Sequence, residues 1–462
     1  MKYLLPLILL TGCAVGPDYR PPQTNAPAQW QTGTNSAPPL TAWWKTFHDP
    51  ELDSLLDRAV KANRDLRLAH ARVLEARAYR SGAISDFLPN INLNTSYLKT
   101  HRSKNGSTNP GQKRDTDKYE AGFDASWEID VFGGKRRQLE SASAVMAAII
   151  ESERDVLITV LAEVARNYVA VRGAQRRLVI ATNNLRSQQT ALEIAQSRFK
   201  AGLTGELDVT QAQALLTTTE AQLPTLHTAA RQGMYRLAVL LGQHPGTLVD
   251  ELSQATGIPA PPPEVPVGLP AELLRRRPDI RRSERELAAA TAAIGVQVAE
   301  LFPKLSLTGL GGFQSLTGGD LLTSPSRFWS VGPIVTWKLL EYPQIRAKVR
   351  AQTAQQEQAL AVYEQTVLLA FEDVESALIA YANEQVRYRT LTAAAAANRR
   401  ALELANDLYT KGLVDFLNVV TSENAAAQAD DQLVASEAAV AQNLVALYKA
   451  LGGGWDNFNE TN

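Results

Sequence analysis

The spacing of apolar positions changes period several times along the chain. Leu52, Leu55, Leu56, Ala59 and Val60 make one stripe at helical spacing, and the pattern predicts a helix from Pro50 to about Asp86. Ile91, Leu93, Thr95 and Tyr97 then alternate with Asn90, Asn92, Asn94 and Ser96, as in a strand with one apolar face. A polar loop is expected from about Thr100 to Lys118, carrying His101, Arg102, Lys104, Lys113, Arg114 and Lys118. Alternation returns at Phe123, Ala125, Trp127, Ile129 and Val131. A long helical pattern without internal proline follows, from Lys135 to Ala201, and Gly202 stops it. A return helix is expected over Glu206–Leu241, kinked at Pro224.

The same succession then recurs. Leu305, Leu307 and Phe313 mark one strand, and Trp329, Val331, Val335, Trp337 and Leu339 another. The loop between them, around Gly318-Gly319-Asp320, is shorter than its counterpart. A second long helix is expected from Ile345 to Lys411, stopped by Gly412, and a second return helix from Asp415 to Leu451. Ala191-Leu192-Glu193-Ile194-Ala195 returns as Ala401-Leu402-Glu403-Leu404-Ala405, and Leu241-Gly242 as Leu451-Gly452, at an offset of 210. Asp65 pairs with Asp279 and Pro89 with Pro303 at 214, so the offset slips inside the first hairpin. A unit of roughly 200 residues has been duplicated, far beyond the 20–50 of solenoid repeats.

Geometry limits what this duplication can build. A helix of about 67 residues spans about 100 Å and needs partners along its length. Each strand segment has about ten residues, the length of a tilted transmembrane strand. A soluble hairpin resting on a core would show the same alternation. Four strands cannot close a barrel, and the smallest bacterial barrels have about eight. If the strands span a membrane the chain must oligomerise, and strand number leaves dimer and trimer open.

The 462 residues carry a net charge of −1, without the basic stripe of a nucleic-acid partner. Beyond the first dozen residues no apolar run reaches the ~18 residues of a transmembrane helix. The single cysteine excludes an intrachain disulfide. It ends Leu10-Thr11-Gly12-Cys13, which reads as a lipobox after a short apolar leader. Residues 1–12 are then a signal peptide, and Cys13 carries a diacylglyceryl group. By analogy with bacterial lipoproteins, Ala14 directs sorting to the outer membrane. Residues 13–42 read as an extended tether, 43–258 as the first repeat, 259–270 as a Pro-rich linker, 271–454 as the second repeat, and 455–462 as a tail.

No enzyme constellation appears. The five histidines are scattered, and there is no metal-spaced Cys/His set, Gly-rich phosphate loop or Gly-x-Ser-x-Gly elbow. Arg275-Arg276-Arg277 is expected to position the helix starting near Pro278 rather than to hold phosphate. The three methionines offer no soft-metal track. No cofactor is expected beyond the covalent lipid on Cys13.

Trp43-Trp44-Lys45-Thr46-Phe47-His48-Asp49-Pro50-Glu51-Leu52, followed by Asn63-Arg64-Asp65-Leu66, resembles the opening of NodT-type outer-membrane efflux lipoproteins of the TolC-like outer membrane factors. Arg276-Arg277-Pro278-Asp279-Ile280, Leu301-Phe302-Pro303-Lys304-Leu305-Ser306-Leu307 and Ala450-Leu451-Gly452-Gly453-Gly454-Trp455 resemble later signatures of that family. The resemblance implies a mainly α fold with a β-barrel part, a TolC-like homotrimer with four transmembrane strands per protomer and a tunnel of long coiled helices. It implies passive export of drugs or other small toxic molecules. These would come from an inner-membrane pump, usually of the resistance–nodulation–division class, through a periplasmic adaptor. An outer-membrane duct for type I protein secretion shares the architecture. A periplasmic coiled-coil scaffold without a pore is the alternative from another class; lipid-facing Trp127 and Trp337 would distinguish it.

The mechanistic site is expected where the long helices turn back. Leu417 matches the family's apolar ring by position, and Thr421 stands where relatives often carry an acidic ring residue. Asp415, Asp208 and Glu423 are the available carboxylates, although Asp208 and Asp415 also suit a helix dipole. Gly202-Leu203 and Gly412-Leu413 cap the helices and, beyond that, offer an adaptor a turn with an exposed apolar side chain.

Overall fold

The computed structural model describes residues 14–23, 26–31, 41–106, 113–262, 265, 267–268 and 270–458. Cys13 and the leader lie outside the described residues, as do parts of the tether, linker and tail. The element order is α1 (Pro50–Ala62), α2 (Arg64–Ser85), β1 (Asn90–His101), β2 (Asp115–Ile129), α3 (Gly134–Lys200), α4 (Glu206–Leu240), α5 (Pro270–Arg276), α6 (Pro278–Ala299), β3 (Lys304–Ser315), β4 (Arg327–Thr336), α7 (Tyr342–Thr410) and α8 (Phe416–Ala450). No helix among the described residues is long and apolar enough to cross a membrane.

The first helix differs from expectation by a break at Asn63. That residue is extended (φ −62°, ψ 135°), and its Oδ1 accepts from the backbone N–H of Asp65 and Leu66 at 2.8 and 3.1 Å. It thus ends α1 and caps α2, as Asp49 caps α1 by accepting from Glu51 and Leu52. Helix α4 passes through Pro224 without a break in the assigned helix. Pro270, expected in the linker, opens α5, and Asp415 stands just outside α8 at its N-cap.

The four strands form one antiparallel sheet in the order β1-β2-β3-β4. Strand β2 begins at Asp115, so the expected loop is shorter, while Val131, Trp337 and Leu339 fall outside the strands. The register aligns Leu93 with Phe123, Phe123 with Gly311, and Gly311 with Trp329. Paired residues point to the same side of a sheet, and alternate residues follow them. One face therefore carries Ile91, Leu93, Tyr97, Phe123, Trp127, Leu305, Leu307, Trp329, Val331 and Val335. The other carries Asn90, Asn92, Asn94, Asp124, Ser126, Glu128, Ser306 and Thr308.

The chain divides into two compact units, and each draws segments from both repeats. Unit 1 comprises residues up to Gln23, Arg72–Ile149 and Arg282–Glu364, and contains the whole sheet. Part of the expected tether is fixed here. Val15 N–H donates to the Phe132 carbonyl at 3.1 Å, and buried Arg137 donates to the Val15 carbonyl at 3.1 Å and to Asp18 at 2.6 Å. Gly16 has φ 92°, and a Cβ there would lie 2.5 Å from the Gly295 Cα. Only glycine allows both the turn and the approach.

Unit 2 comprises Thr24–Ala71, Ile150–Arg281 and Gln365–Asn462. The Trp-Trp segment is core: Trp43 stacks on Tyr448 at 5.3 Å, and Trp44 on Phe458 at 5.6 Å. Leu52, Leu55, Leu56 and Ala59 are fully buried. The buried Arg172 pairs with Glu51 and donates to the Gln254 carbonyl at 2.7 Å. Trp455, at the start of the expected C-terminal tail, is buried beneath Arg154 and Arg281, with the guanidinium carbons 4.5 and 5.5 Å from its ring.

Unit 2 also builds one joint twice. Asn63 Nδ2 donates to the Leu240 carbonyl at 2.8 Å, and Arg277 Nη1 to the Ala450 carbonyl at 3.0 Å. Asn63 and Arg277 are 214 apart, whereas Leu240 and Ala450 are 210 apart, the two offsets of the repeat. Each side chain satisfies a C-terminal helix carbonyl that has no partner within its own helix. Arg277 also pairs with Asp279 at 2.6 Å and Asp373 at 3.0 Å, which makes this member of the arginine triplet a structural clamp.

Two substitutions probe the joint. Asn63→Ala removes both a helix cap and a buried hydrogen bond and is expected to destabilise by about 1–3 kcal/mol. Gly242→Ala should cost more, because Gly242 has φ 68° and its added Cβ would lie 2.3 Å from the Ala62 carbonyl oxygen. Thermal unfolding followed by circular dichroism checks both, and an unchanged midpoint in either variant would contradict the joint's role.

Candidate functional site

Each long helix ends in the same local structure. Gly202 (φ 71°) donates to the Phe199 carbonyl and Leu203 to the Arg198 carbonyl, both at 2.9 Å. Gly412 (φ 73°) donates to Tyr409 and Leu413 to Leu408, again both at 2.9 Å. This paired pattern is a Schellman turn, and the left-handed glycine reverses the chain within a few residues. The following leucines are left outside: Leu203 is 69 % exposed and Leu413 68 %.

The two tips share one core within unit 2. Leu192 and Ala195 of α3, Ala212 of α4, Ala405 and Tyr409 of α7, and Phe416 and Val419 of α8 form a single buried cluster. Arg198 fastens it, donating to the Tyr409 carbonyl at 2.8 Å with its guanidinium carbon 4.6 Å from the Tyr409 ring. Tyr409 in turn packs on Phe416 at 5.1 Å. The repeat fails here: the residues 210 positions earlier, Phe199 and Glu206, are exposed.

The sequence-derived candidates separate into two groups. Leu417 and Thr421 share an exposed face of α8, one turn apart, and the Thr421 hydroxyl donates to the Leu417 carbonyl at 2.8 Å. Asn424, Gln428 and Gln432 continue this exposed stripe, so it bears no carboxylate. Asp415 is exposed at the N-cap without a side-chain cap hydrogen bond. Asp208 is half-buried and accepts a hydrogen bond from the Thr204 hydroxyl, which ties it to the turn. One residue escaped the sequence reading. Leu207 is 67 % exposed and is the repeat mate of Leu417, which is 58 % exposed. The 210-residue offset was the signal that could have found it.

Glu423 lies on a different face from Leu417 and Thr421. It follows Phe416 and Val419 along the buried stripe of α8 and is 5 % exposed. Burial pushes its carboxyl up to about 7. Nearby in sequence on the α3 stripe, one turn before Leu192, Gln188 is buried with neither amide atom hydrogen-bonded. Polar side chains therefore interrupt the buried stripes of both helices beyond the tip core.

A raised acid pKa means that the folded chain holds a proton the unfolded chain has released. Stability from this group is fully present below the unfolded value of about 4.3 and falls as pH rises to about 7, levelling off above that. Glu423→Gln should flatten this slope. Hydrogen exchange across the tip at pH 5 and pH 8 measures it: exchange faster at pH 8, beyond the intrinsic base-catalysed increase, is expected in the parent and not in the variant. The same excess in both would place the titration elsewhere.

The model of the outer membrane efflux protein family matches residues 55–243 and 269–453. The two matches begin 214 residues apart and end 210 apart, the same offsets found within the sequence. The chain is 31 % identical to nodulation protein T of Rhizobium leguminosarum bv. trifolii, over 98 % of each chain. It is 33 % identical to the pyoverdine export outer membrane protein OpmQ of Pseudomonas aeruginosa, over 97 % of this chain and 96 % of the relative. Among solved structures, the outer-membrane channel OprN superposes with a TM-score of 0.90 at 38 % identity, covering 96 % of this chain and 100 % of that one. With its duplicated architecture of strands and long helices and full-length likeness to these proteins, the chain belongs to the outer membrane efflux protein family and has its TolC-like fold.

Proposed function

We propose that the chain is the outer-membrane channel of a tripartite efflux system and works as a homotrimer. The observation that carries this reading is a four-stranded sheet with one apolar face and two unpaired edges, β1 and β4. An open edge in lipid leaves N–H and C=O groups unsatisfied, at a cost of about several kcal/mol each. Pairing β4 of one copy with β1 of the next removes every edge. Two copies would give eight strands and three copies twelve. Homotrimers are typical of the family, which supports three. Trp127 and Trp337 would then sit at the periplasmic lipid boundary, with their indole N–H groups already satisfied by the Phe87 and Leu301 carbonyls at 2.8 and 3.1 Å. Cys13 would carry an acyl anchor; the fixed segment that begins at Ala14 supports a defined attachment point on unit 1.

In this assembly Leu417 and Leu207 narrow the closed bore, without a ring carboxylate at Thr421. The neutral stripe from Leu417 to Gln432 suits small organic cargo. Relatives named for export of pyoverdine, solvents and toluene support the same class. The cargo arrives from an inner-membrane pump of the resistance–nodulation–division class. Its periplasmic adaptor docks on the turns at Gly202-Leu203 and Gly412-Leu413, where exposed leucines cost little to cover.

Crosslinking in outer-membrane fractions is expected to give a trimer that incorporates labelled palmitate, and Cys13→Ser should lose the label. A soluble monomer would sink the channel reading. Leu417→Ser and Leu207→Ser should each raise single-channel conductance in planar bilayers, the double variant most; unchanged conductance would remove these leucines from the constriction.

A further inference from the structure

The end of the β1–β2 hairpin carries a charge pattern that the export reading does not use. Along the apolar face of β1, Ile91, Leu93, Thr95 and Tyr97 are followed by Lys99 and His101. The change occurs at an aromatic pair: Tyr97 packs on its cross-strand partner Tyr119 with ring centroids 4.9 Å apart. On β2, Tyr119 lies eight residues from Trp127 on the same face. That is about 27 Å along the strand, or about 20 Å of depth at a 35–45° tilt, close to the ~25 Å apolar band of a transmembrane barrel. The two aromatic levels therefore bracket a membrane-thick band. Lys99, His101, Arg102, Lys104, Lys113 and Arg114 lie just beyond its far end.

This end is far from the helices by topology. Strand β1 follows α2 and β2 leads into α3, so the 102–114 connection is at the opposite end of both strands. The paired ends of β1 and β2 also extend past β3. β1 and β2 pair out to His101 and Asp115, whereas β3 leaves β2 at Tyr119. Between Lys99 and Glu120 the chain has six Lys and Arg against three carboxylates, Asp115, Asp117 and Glu120. Asp115 is engaged by His101 at 2.6 Å and Glu120 by Lys118 at 2.6 Å. Arg102, Lys104 and Lys113 are exposed and have no carboxylate partner among the described residues. The other connection, 316–326, holds a single charged residue, Asp320.

We propose that Lys99, Arg102, Lys104, Lys113 and Arg114 form a docking surface for the phosphate groups of an anionic glycolipid in the outer leaflet. The surface lies at headgroup level, where aromatic rings end and hydrated cations begin. Guanidinium and ammonium groups at this level meet phosphate with charge-assisted hydrogen bonds. Because only one of the two hairpins is basic, each protomer offers one such surface. The lipid bound there would hold the protruding hairpin at a fixed depth. This inference rests on the membrane-spanning reading of the sheet.

The test uses the full-length purified protein in detergent, with native mass spectrometry of retained lipid. The probes are bisphosphorylated lipid A and its enzymatically dephosphorylated form. Selective retention of the phosphorylated form, weakening as salt rises, is expected of the parent protein. Each cation near an anionic surface contributes on the order of a few-fold in binding, so Arg102→Gln/Lys104→Gln/Lys113→Gln should lower retention about tenfold or more. Lys104→Arg/Lys113→Arg keeps the charge and should retain the lipid as the parent does. Equal retention of both lipids by the parent, or unchanged selectivity in the triple glutamine variant, overturns the proposal. Planar-bilayer conductance of the same preparations reports separately on the pore: conducting trimers without lipid selectivity refute this surface alone, whereas absent conductance refutes the channel reading.

Discussion

Backbone hydrogen bonding is the constraint on which the architecture turns. Inside a sheet every strand shares its polar groups with two neighbours, but β1 and β4 have only one each. In water such edges are tolerable; against hydrocarbon they are not. In the proposed channel the apolar face running through Leu93, Phe123 and Trp329 lies in hydrocarbon, and the Asn and Ser residues on the reverse face lie in water. In the channel proposed above, a sheet with those two faces and two open edges is a fraction of a barrel. On the proposed membrane-spanning reading, the need for further copies of the chain comes from the strands, and the helices fit the copy number that the strands require.

The duplication is a device for meeting that need with one chain. Its two copies do not fold as two domains, because each compact unit takes segments from both. Each copy instead closes on itself through an equivalent joint, where Asn63 and Arg277 reach the final carbonyls of α4 and α8. Different side chains do the same work there, since the requirement is only a donor of the right reach. The offset slips inside the hairpins, where length changes add loop. It holds through the helices, where an insertion would turn every later side chain to a new face.

The tips are where equivalence was given up. Tyr409 and Phe416 fill the core that both hairpins share, while their mates Phe199 and Glu206 face outward. The exposed leucines, by contrast, remain paired across the repeat: Leu203 with Leu413 and Leu207 with Leu417. Surface roles kept their symmetry, and the interior, which has room for only one set of rings, lost it. Burying Glu423 beside this core raises its carboxyl pKa, so the packing there depends on its protonation.

Periodicity in the sequence was enough to place most elements of both repeats, because period two and period 3.6 are properties of local backbone geometry. It also determined the duplication and its two offsets. The break at Asn63 was not legible, since the capping residue sits inside an uninterrupted helical pattern and acts through a carbonyl 177 residues away. Nor was the fixing of residues 14–23, which depends on Arg137 and on the close approach of Gly16 to Gly295. At the tips, sequence alone located the turns and the candidate leucines. Only the tertiary structure decided that Leu417 and Thr421 are exposed together while Glu423, two residues beyond Thr421, is buried. Which face of a helix is covered depends on its neighbours, and those are brought in by segments far away along the chain.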